Sequence, residues 1–361
     1  MKILHKILDR RIVLQIQLIE MKTDRIIVLS AVIILTMITL SPCVLSEKTG
    51  KILYVDDDGD KEFTMIQEAL ENASDGDTIY VYNGTYYEAL QINKSINLIG
   101  ENNEKTIIEG SFSVFETSKI PSILNSSALI DIVADNVKVS KFTIKNSTKI
   151  VPLSIKTGVR PITIDVGSGI KISSNNNTIS NNIIIDNGEN GIVFISGENT
   201  NILNNEISNN SNKGIYLQNC SNNNIINNSI TNNSIGVAFL DNAHNNTFYY
   251  NNFINNTNYH TSDSGKNIFY STQILQGNYW DDYNGDDKDN DAIGDEPYTI
   301  LGGLNQDPYP LMAPYTGRIV LENYYVNEDA VIYALWIAMI LAIIFSIPIA
   351  YYWYRKTRPP E

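Results

Sequence analysis

The feature that most constrains the fold is a unit that recurs every 22 to 24 residues between Asn175 and Asn258. Asn-Asn pairs mark it at Asn181-Asn182, Asn204-Asn205, Asn227-Asn228 and Asn251-Asn252, and Gly-aliphatic steps mark it at Gly169-Ile170, Gly191-Ile192, Gly214-Ile215 and Gly236-Val237. A fixed period in this range indicates a solenoid, in which each repeat buries its apolar face against the next.

The composition of each unit decides which solenoid this is. Runs of four to six residues alternate Ile, Val, Phe or Tyr with small polar residues, as in 224–231, and this is the period of a β-strand. No unit carries the long apolar stripe of a helical repeat. We therefore predict an all-β parallel β-helix, in which Ile stacks on Ile in the core. Asn stacks on Asn at the corners, where a left-handed backbone suits it.

Charge and cysteine content narrow the function classes. The chain has 361 residues and a net charge of −14, which argues against nucleic acid or an anionic membrane surface as the main partner. Its two cysteines, Cys43 and Cys220, do not make a disulfide framework.

The two ends of the chain indicate export and anchoring. Residues 1–46 are predicted as an N-terminal extension and signal peptide, with Met21 as an alternative start. Residues 331–354 are apolar and long enough for one transmembrane helix, and the basic tail 355–361 then faces the cytoplasm. The expected location is the cell membrane, with a single span and an extracellular β-helix.

Between these ends we expect three segments. A right-handed parallel β-helix of roughly nine coils is expected over 47–275 by the repeat and by the resemblance described next, with Thr64–Ala73 as a capping helix over its open end. Residues 276–316 are expected to form a C-terminal cap with an acidic loop, and 317–330 a juxtamembrane stalk.

The opening of the β-helix resembles a known family. The motifs that carry the resemblance are Tyr54–Gly59, Ile66–Ala69, Gly76–Ile79, Gly84–Glu88, Lys94–Gly100 and Ala134–Ser147. They are similar to NosD-like proteins, which belong to the pectin-lyase-like set of right-handed parallel β-helices, and the resemblance covers about residues 52–314. It implies a right-handed β-helix, in the manner of archaeal surface proteins with a C-terminal anchor.

The strongest chemical signal is an acidic loop with carboxylates at Asp287, Asp289, Asp291 and Asp295. Alternating carboxylates in a tight loop suit a hard cation, and we predict a structural calcium ion, Ca2+. Two positions depart from the usual calcium loop: Ala292 stands where Gly is favoured, and Tyr298 where a Glu is expected. A solvated loop without an ion is the alternative.

A catalytic site is a weaker prediction. Asp165 and Asp186 are 21 residues apart, close to one coil, so they are expected to stack as a carboxylate pair. Pectin-lyase-like enzymes use Asp-bound calcium with Arg or Lys, so the resemblance implies a polysaccharide lyase or hydrolase in which Arg160 and Lys171 take part. The alternative is that both Asp residues cap turns.

The family name also implies copper. The exterior offers His244, His260, Cys220, Met65 and Met312 without clustered spacing, so no copper-delivery partner is predicted.

Aromatic residues near the end of the β-helix favour the core, although Trp280 and Tyr283 are predicted as surface contacts for sugar rings. The role that best joins these features is non-catalytic binding or adhesion at the cell envelope, with carbohydrate as ligand. The polysaccharide-cleaving enzyme and the copper-site accessory factor are the alternatives.

Overall fold

The structure, a computed structural model, describes residues 50–110, 128–147, 149–153, 162–165, 167–240, 242–264 and 267–317. The predicted leader, membrane segment and basic tail, and nearly all of the stalk, lie outside these residues. Within the described part of the chain, no helix is long and apolar enough to cross a membrane.

Three parallel sheets give each coil its strands. Sheet 1 contains Ile52–Val55, Thr78–Val81, Asn97–Gly100, Lys138–Ser140, Thr178–Ser180, Asn201–Leu203, Asn224–Ile226 and Thr247–Tyr249. Sheet 2 contains Gly84–Tyr86, Thr106–Glu109, Thr143–Lys145, Ile183–Ile185, Glu206–Ser208, Ser229–Thr231, Asn252–Ile254 and Tyr279–Trp280. Sheet 3 contains Leu90–Ile92, Ala128–Ile132, Ser168–Ile172, Ile192–Phe194, Lys213–Gln218, Ile235–Leu240 and Tyr259–Ser262.

Three two-stranded pairs complete the described strands. They are the antiparallel pair Lys149–Leu153 and Ile162–Asp165, the parallel pair Gly197–Glu198 and Cys220–Ser221, and the antiparallel pair Tyr298–Thr299 and Gln306–Asp307.

In-register pairing explains the core. Ile202 of sheet 1 lies opposite Ile179 on one side and Ile225 on the other, and all three are fully buried. Each short strand turns one side chain inward and its neighbours outward, so parallel stacking builds continuous apolar columns. The predicted all-β parallel β-helix is confirmed.

The coil count differs from the prediction. The solenoid has about eight turns rather than nine. Lys138 pairs with Asn97 and with Thr178, at separations of 41 and 40 residues, whereas Thr178 and its next partner Asn201 are 23 residues apart. Dividing the length by one period therefore overcounts, because two coils contain long insertions.

Buried Asn side chains form three ladders along the corners. The first ladder, between sheets 1 and 2, is Asn182, Asn205, Asn228, Asn251 and Asn278. The second, between sheets 2 and 3, is Asn187, Asn210, Asn233 and Asn256, and the third, between sheets 3 and 1, is Asn223, Asn246 and Asn267. Between successive ladder residues, each Nδ2 donates to the Oδ1 of the next Asn at 2.9–3.3 Å. The same Nδ2 also donates back to a backbone carbonyl of the preceding coil, as from Asn205 to Ile179 at 2.9 Å.

Except before Asn267 and Asn278, the residue that precedes a ladder Asn has a left-handed backbone, with φ between 53° and 60°. Asn dominates these positions because its short polar side chain tolerates that conformation. The two residues of a pair thus have separate roles, corner and ladder. The fourth pair is Tyr250-Asn251 rather than the predicted Asn251-Asn252, because Asn252 begins a strand of sheet 2.

The Gly of each unit makes room for the second ladder. A Cβ on Gly214 would lie 3.0 Å from Asn233 Nδ2 and 2.7 Å from the carbonyl oxygen of Gly236. Gly169 and Gly191 meet equivalent atoms at similar distances. The recurring Gly-aliphatic step is therefore a packing requirement of the buried amides.

The helix Ile66–Asn72 covers the N-terminal end of the solenoid, inside the predicted Thr64–Ala73 segment. Ile66 is fully buried, and the Glu88 carboxylate accepts the backbone N–H groups of Ile66 and Gln67 at 2.8 Å each. At the other end, Lys94 Nζ donates to three carbonyl oxygens, those of Leu70, Glu71 and Ala73. Opposite charges thus stabilise the two ends of the helix dipole.

Carboxylates terminate the ladders at the C-terminal end. Asp307 accepts the backbone N–H of Asn278 at 2.7 Å and the Trp280 indole N–H at 3.0 Å, and Asp263 accepts the side-chain amide of Asn267 at 2.9 Å. Aligned amide donors favour negative charge where they converge. Burial raises the pKa of Asp307 to about 6, against the hydrogen bonds that lower it.

Candidate functional site

A groove lies along the corner between sheets 1 and 2, and we call it the amide groove. One side is a row of left-handed Asn residues, and the other is an outward column of sheet 2: Asn181, Asn204 and Asn227, then Glu206, Ser229 and Asn252. Residues 315–317 close one end, and the space is about 300 Å³. Because the row belongs to successive coils, its amides repeat about every 4.8 Å along the solenoid.

The chain itself shows how the groove holds an extended segment. The Tyr315 N–H donates to Asn252 Oδ1 at 2.8 Å, and Asn252 Nδ2 donates back to the Tyr315 carbonyl at 2.9 Å. One coil nearer the N-terminus, Asn227 Nδ2 donates to the Gly317 carbonyl at 2.8 Å. The Tyr315 ring stacks on Tyr250 at 3.9 Å, so an aromatic face borders the amides.

Three groups within the described residues bring potential metal-ligand atoms within 4.8 Å of one another. They are Asp287, Asp289 and Asp291; His260, Asp281 and Asp282; and Asp56, Asp57 and Asp58. Exposed acidic groups are common without an ion, and this applies to the exposed Asp56 group.

The acidic loop brings three of its four predicted ligands together. Asp287 accepts the backbone N–H groups of Asp291 and Ala292 at 3.2 and 3.1 Å, which holds the loop closed. The Asp291 carboxylate is the first cause of a raised pKa at Asp289. Asp295 stands apart from the group and accepts the N–H of Lys288 at 2.9 Å.

Ala292 has a left-handed backbone, with φ of 68°. Calcium loops favour Gly at this position. The left-handed backbone explains the preference, since an L-residue with a Cβ is strained in this conformation.

His260 closes the second ladder. Asn256 Oδ1 accepts the N–H groups of Asn233, so its Nδ2 faces His260 Nδ1 at 3.2 Å as a donor. In the neutral imidazole the proton therefore sits on Nε2, which donates to Asp281 Oδ1 at 2.7 Å. Asp282 Oδ1 lies 3.4 Å from the same nitrogen.

The proposed carboxylate pair is not in register. Asp165 belongs to the antiparallel hairpin, opposite Lys149, whereas Asp186 is an exposed corner residue with φ of 56°. The side chain of Asp165, like all of Arg160, lies outside the described part of the structure. Asp186 stands in the corner series of Asn209, so the predicted stacking of the two Asp residues on adjacent coils is wrong.

Lys171 pairs instead with a residue that sequence reasoning missed. On the outer face of sheet 3, Lys171 lies opposite Asp131, and its Nζ is 3.2 Å from Asp131 Oδ2. Asp131 is 2% exposed, and its Oδ1 has no hydrogen-bond partner among the described residues. The 40-residue separation hid this pair, because the coil between them contains the inserted hairpin. An ion pair with one carboxylate does not assemble the two-carboxylate chemistry of a glycosidase.

The predicted sugar contact at Trp280 is wrong. The residue is 1% exposed and stacks between Phe253 and Tyr298, with ring centroids 4.3 Å away on each side. Tyr283 is half-buried against the core, and its hydroxyl donates to the Glu296 carbonyl at 2.7 Å.

The fold defines a parallel β-helix protein with an amide-lined groove and an acidic loop. Residues 70–285 match the model of the family described as periplasmic copper-binding protein (NosD), which is more than half of the chain. The protein therefore belongs to the NosD family, and the predicted resemblance is confirmed. A comparison with curated protein sequences finds no match.

Comparison with solved structures finds several that are distantly similar to this chain. Geobacillus virus E2 ORF18 has 17% identity and a TM-score of 0.43. The match covers 59% of this chain and only 44% of the viral protein. Pectin methylesterase from carrot has 13% identity and a TM-score of 0.41, covering 76% of this chain and 88% of that one. Pectate lyase Pel9A has 14% identity and a TM-score of 0.41, and the match covers 64% of this chain and 74% of the lyase. These likenesses are too distant to carry an argument about activity.

Cys220 and His260 do not fit the copper that the family name implies. Cys220 is buried, and burial raises the pKa of its thiol to about 12, which keeps it from acting as a thiolate ligand. A metal on His260 Nε2 requires a proton on Nδ1, where it would oppose the amide N–H of Asn256. Metal-bound histidines normally donate that proton to an acceptor.

Proposed function

We propose that this protein is a membrane-anchored β-helix of the cell surface that binds carbohydrate of the envelope without cleaving it. The observation that carries the proposal is the amide groove, whose neighbouring Asn side chains supply donors and acceptors beside an aromatic face. Sugar hydroxyl groups need both kinds of partner, and sugar rings pack on aromatic faces.

Location and stability belong to the same proposal. The family name is periplasmic, which agrees with a β-helix outside the cytoplasm, and the proposed anchor is the apolar segment 331–354. The acidic loop would hold a structural calcium ion through Asp287, Asp289 and Asp291, with Asp295 keeping the loop in place.

Binding is tested with the full-length chain, purified in mild detergent, on an array of envelope and plant polysaccharides. Replacing Asn204 and Asn227 by Gly keeps the left-handed backbone while removing two groove amides. Asn232→Gly is the matched control, because Asn232 has the same backbone conformation at another corner. The proposal expects retention without shortened products, lost in the double variant and kept in the control. Released products, or no retention on any glycan, would contradict it.

A further inference from the structure

We infer that the amide groove selects an uncharged linear glycan lying parallel to the solenoid axis, with one sugar per coil; this rests on the proposed carbohydrate-binding function. The row begins at Lys141, one coil beyond the groove, and continues through Asn181, Asn204 and Asn227, all with left-handed backbones. Equivalent amides therefore recur at one coil's rise, about 4.8 Å. A β-linked pyranose chain advances by a similar distance per sugar, so each ring lies beside one residue of the row.

The C-terminal segment supports the direction of the bound polymer. Residues 315–317 already lie along the groove, from Asn252 in one coil to Asn227 in the preceding coil. Among the described residues, they leave the Asn204 and Asn181 coils as the continuation of the same track. A glycan placed there would abut Gly317 at one end and run toward the N-terminal coils.

Charge sets the ligand class. Glu206 is exposed, and it is the charged residue among those lining the groove. The whole chain carries −14, and Lys141 lies outside the lining residues. A polyuronate would bring the carboxylate of the sugar at this coil toward Glu206, and like charges at contact distance repel each other. Neutral sugars meet no such repulsion.

The test measures affinities of the full-length protein in detergent by calorimetry. Neutral cello- and N-acetylchito-oligosaccharides of two to six sugars are compared with oligogalacturonates of equal length. We expect neutral affinity to rise with each sugar up to about three and then level off, because the row beyond Gly317 runs over the coils of Asn204, Asn181 and Lys141. Oligogalacturonates should bind at least tenfold more weakly.

Two variants test the charge of the groove and its amides separately. Glu206→Gln should raise oligogalacturonate affinity several-fold and leave neutral affinity unchanged, whereas Asn204→Gly should weaken the neutral ligands about tenfold. Tighter binding of oligogalacturonates than of neutral chains would overturn this inference and leave the proposed function standing. Affinity that does not change with length would overturn the axial placement. Absence of binding by every glycan would overturn both.

Discussion

At the scale of single residues, space and charge around the buried amides decide which side chains this solenoid tolerates. Gly214 has an ordinary backbone conformation that Ala also adopts, yet its missing Cβ leaves room for the Asn233 amide and the Gly236 carbonyl. Asp307 is fully buried and replaces the next Asn at the end of the first ladder. The residue type at each of these two positions is set by the adjacent Asn ladder rather than by its own secondary structure.

We predict that Gly214→Ala lowers the free energy of unfolding by about 2 kcal/mol, because overpacking a closed site forces the backbone to shift. The new Cβ would lie 2.8 Å from Ile230 Cγ2 as well as 2.7 Å from the Gly236 oxygen. Urea denaturation measures the change. The control is Ser211→Ala, at an exposed corner of the same coil, which should change stability little. Equal stability of the two variants would show that the column is not tightly packed.

Asp307 gives a pH prediction. Its pKa is about 6 in the folded state and 3.8 in the unfolded reference, so the carboxyl binds its proton more tightly when folded. Its stabilising contribution is complete below pH 3.8 and is lost as the pH rises through 6, a change of about 3 kcal/mol. Denaturation curves from pH 4 to 7 should show this extra loss in the wild type and not in Asp307→Asn. Parallel pH profiles would contradict the assignment.

At the scale of elements, each corner of the β-helix divides two tasks between adjacent residues. Asn232 provides the left-handed turn, and Asn233 provides the ladder, accepting two N–H groups of Asn210 at 3.0 Å. The first task needs only a backbone conformation, and the second needs both ends of an amide.

We predict opposite outcomes for these neighbours. Asn233→Ala leaves the Asn210 donors and the Ile207 carbonyl without a buried partner, and should destabilise by about 4 kcal/mol. Asn232→Gly keeps the turn and should change stability by less than about 0.5 kcal/mol. Chemical denaturation of both variants shows whether the two residues have separate roles or share one. Similar losses at both positions would show that the pair acts as a unit.

The capping helix carries a local prediction. Glu88→Ala removes the acceptor of the Ile66 and Gln67 N–H groups and should destabilise the helix by about 1–2 kcal/mol. Hydrogen exchange of residues 66–72 reports this opening directly. Glu71→Ala, on the exposed side of the same helix, is the control and should leave exchange nearly unchanged. Faster exchange across all coils would instead mean that the cap and solenoid unfold together.

The elements were predictable from sequence because each unit repeats its own pattern, as at Gly191 and Gly214. The contacts between distant coils were not. Asp131 and Lys171 are separated by 40 residues because the coil contains an inserted hairpin, so a period of 22 residues matched Asp165 with Asp186 instead. The cluster of Asp287, Asp289 and Asp291 was predictable because these carboxylates are close in sequence. The groove was not, because it forms only when coils stack and the C-terminal segment folds back.

At the scale of the whole molecule, the three Asn ladders share one direction along the solenoid axis. In all three ladders one side-chain N–H of each Asn points toward the C-terminal end, where Asp307, Asp263 and the His260–Asp281 pair accept the last of them. Polarised hydrogen bonds strengthen one another, so the acceptors at the end contribute to coils far from them. The C-terminal cap therefore supplies hydrogen-bond acceptors to the ends of the ladders as well as covering the last coil. The acidic loop lies in the same segment.

That loop gives the last prediction. Calcium should stabilise the full-length protein, by about 2.7 kcal/mol when the free ion is at 100 times its dissociation constant. Binding should weaken as the pH falls, because protons compete for the carboxylates and Asp291 raises the pKa of Asp289. Thermal denaturation with calcium and with EDTA measures the shift. Asp289→Asn should abolish it, whereas Asp60→Asn, an exposed acid at the other end of the chain, should not.

A variant that improves the site makes this test sharper. Ala292→Gly should raise stability by about 1 kcal/mol in EDTA, because it relieves the left-handed backbone at φ of 68°. It should also tighten calcium binding, since the closed loop is then reached with less strain. A stabilised variant whose melting temperature does not respond to calcium would show that the loop closes through hydrogen bonds such as Asp287 to Ala292, without an ion.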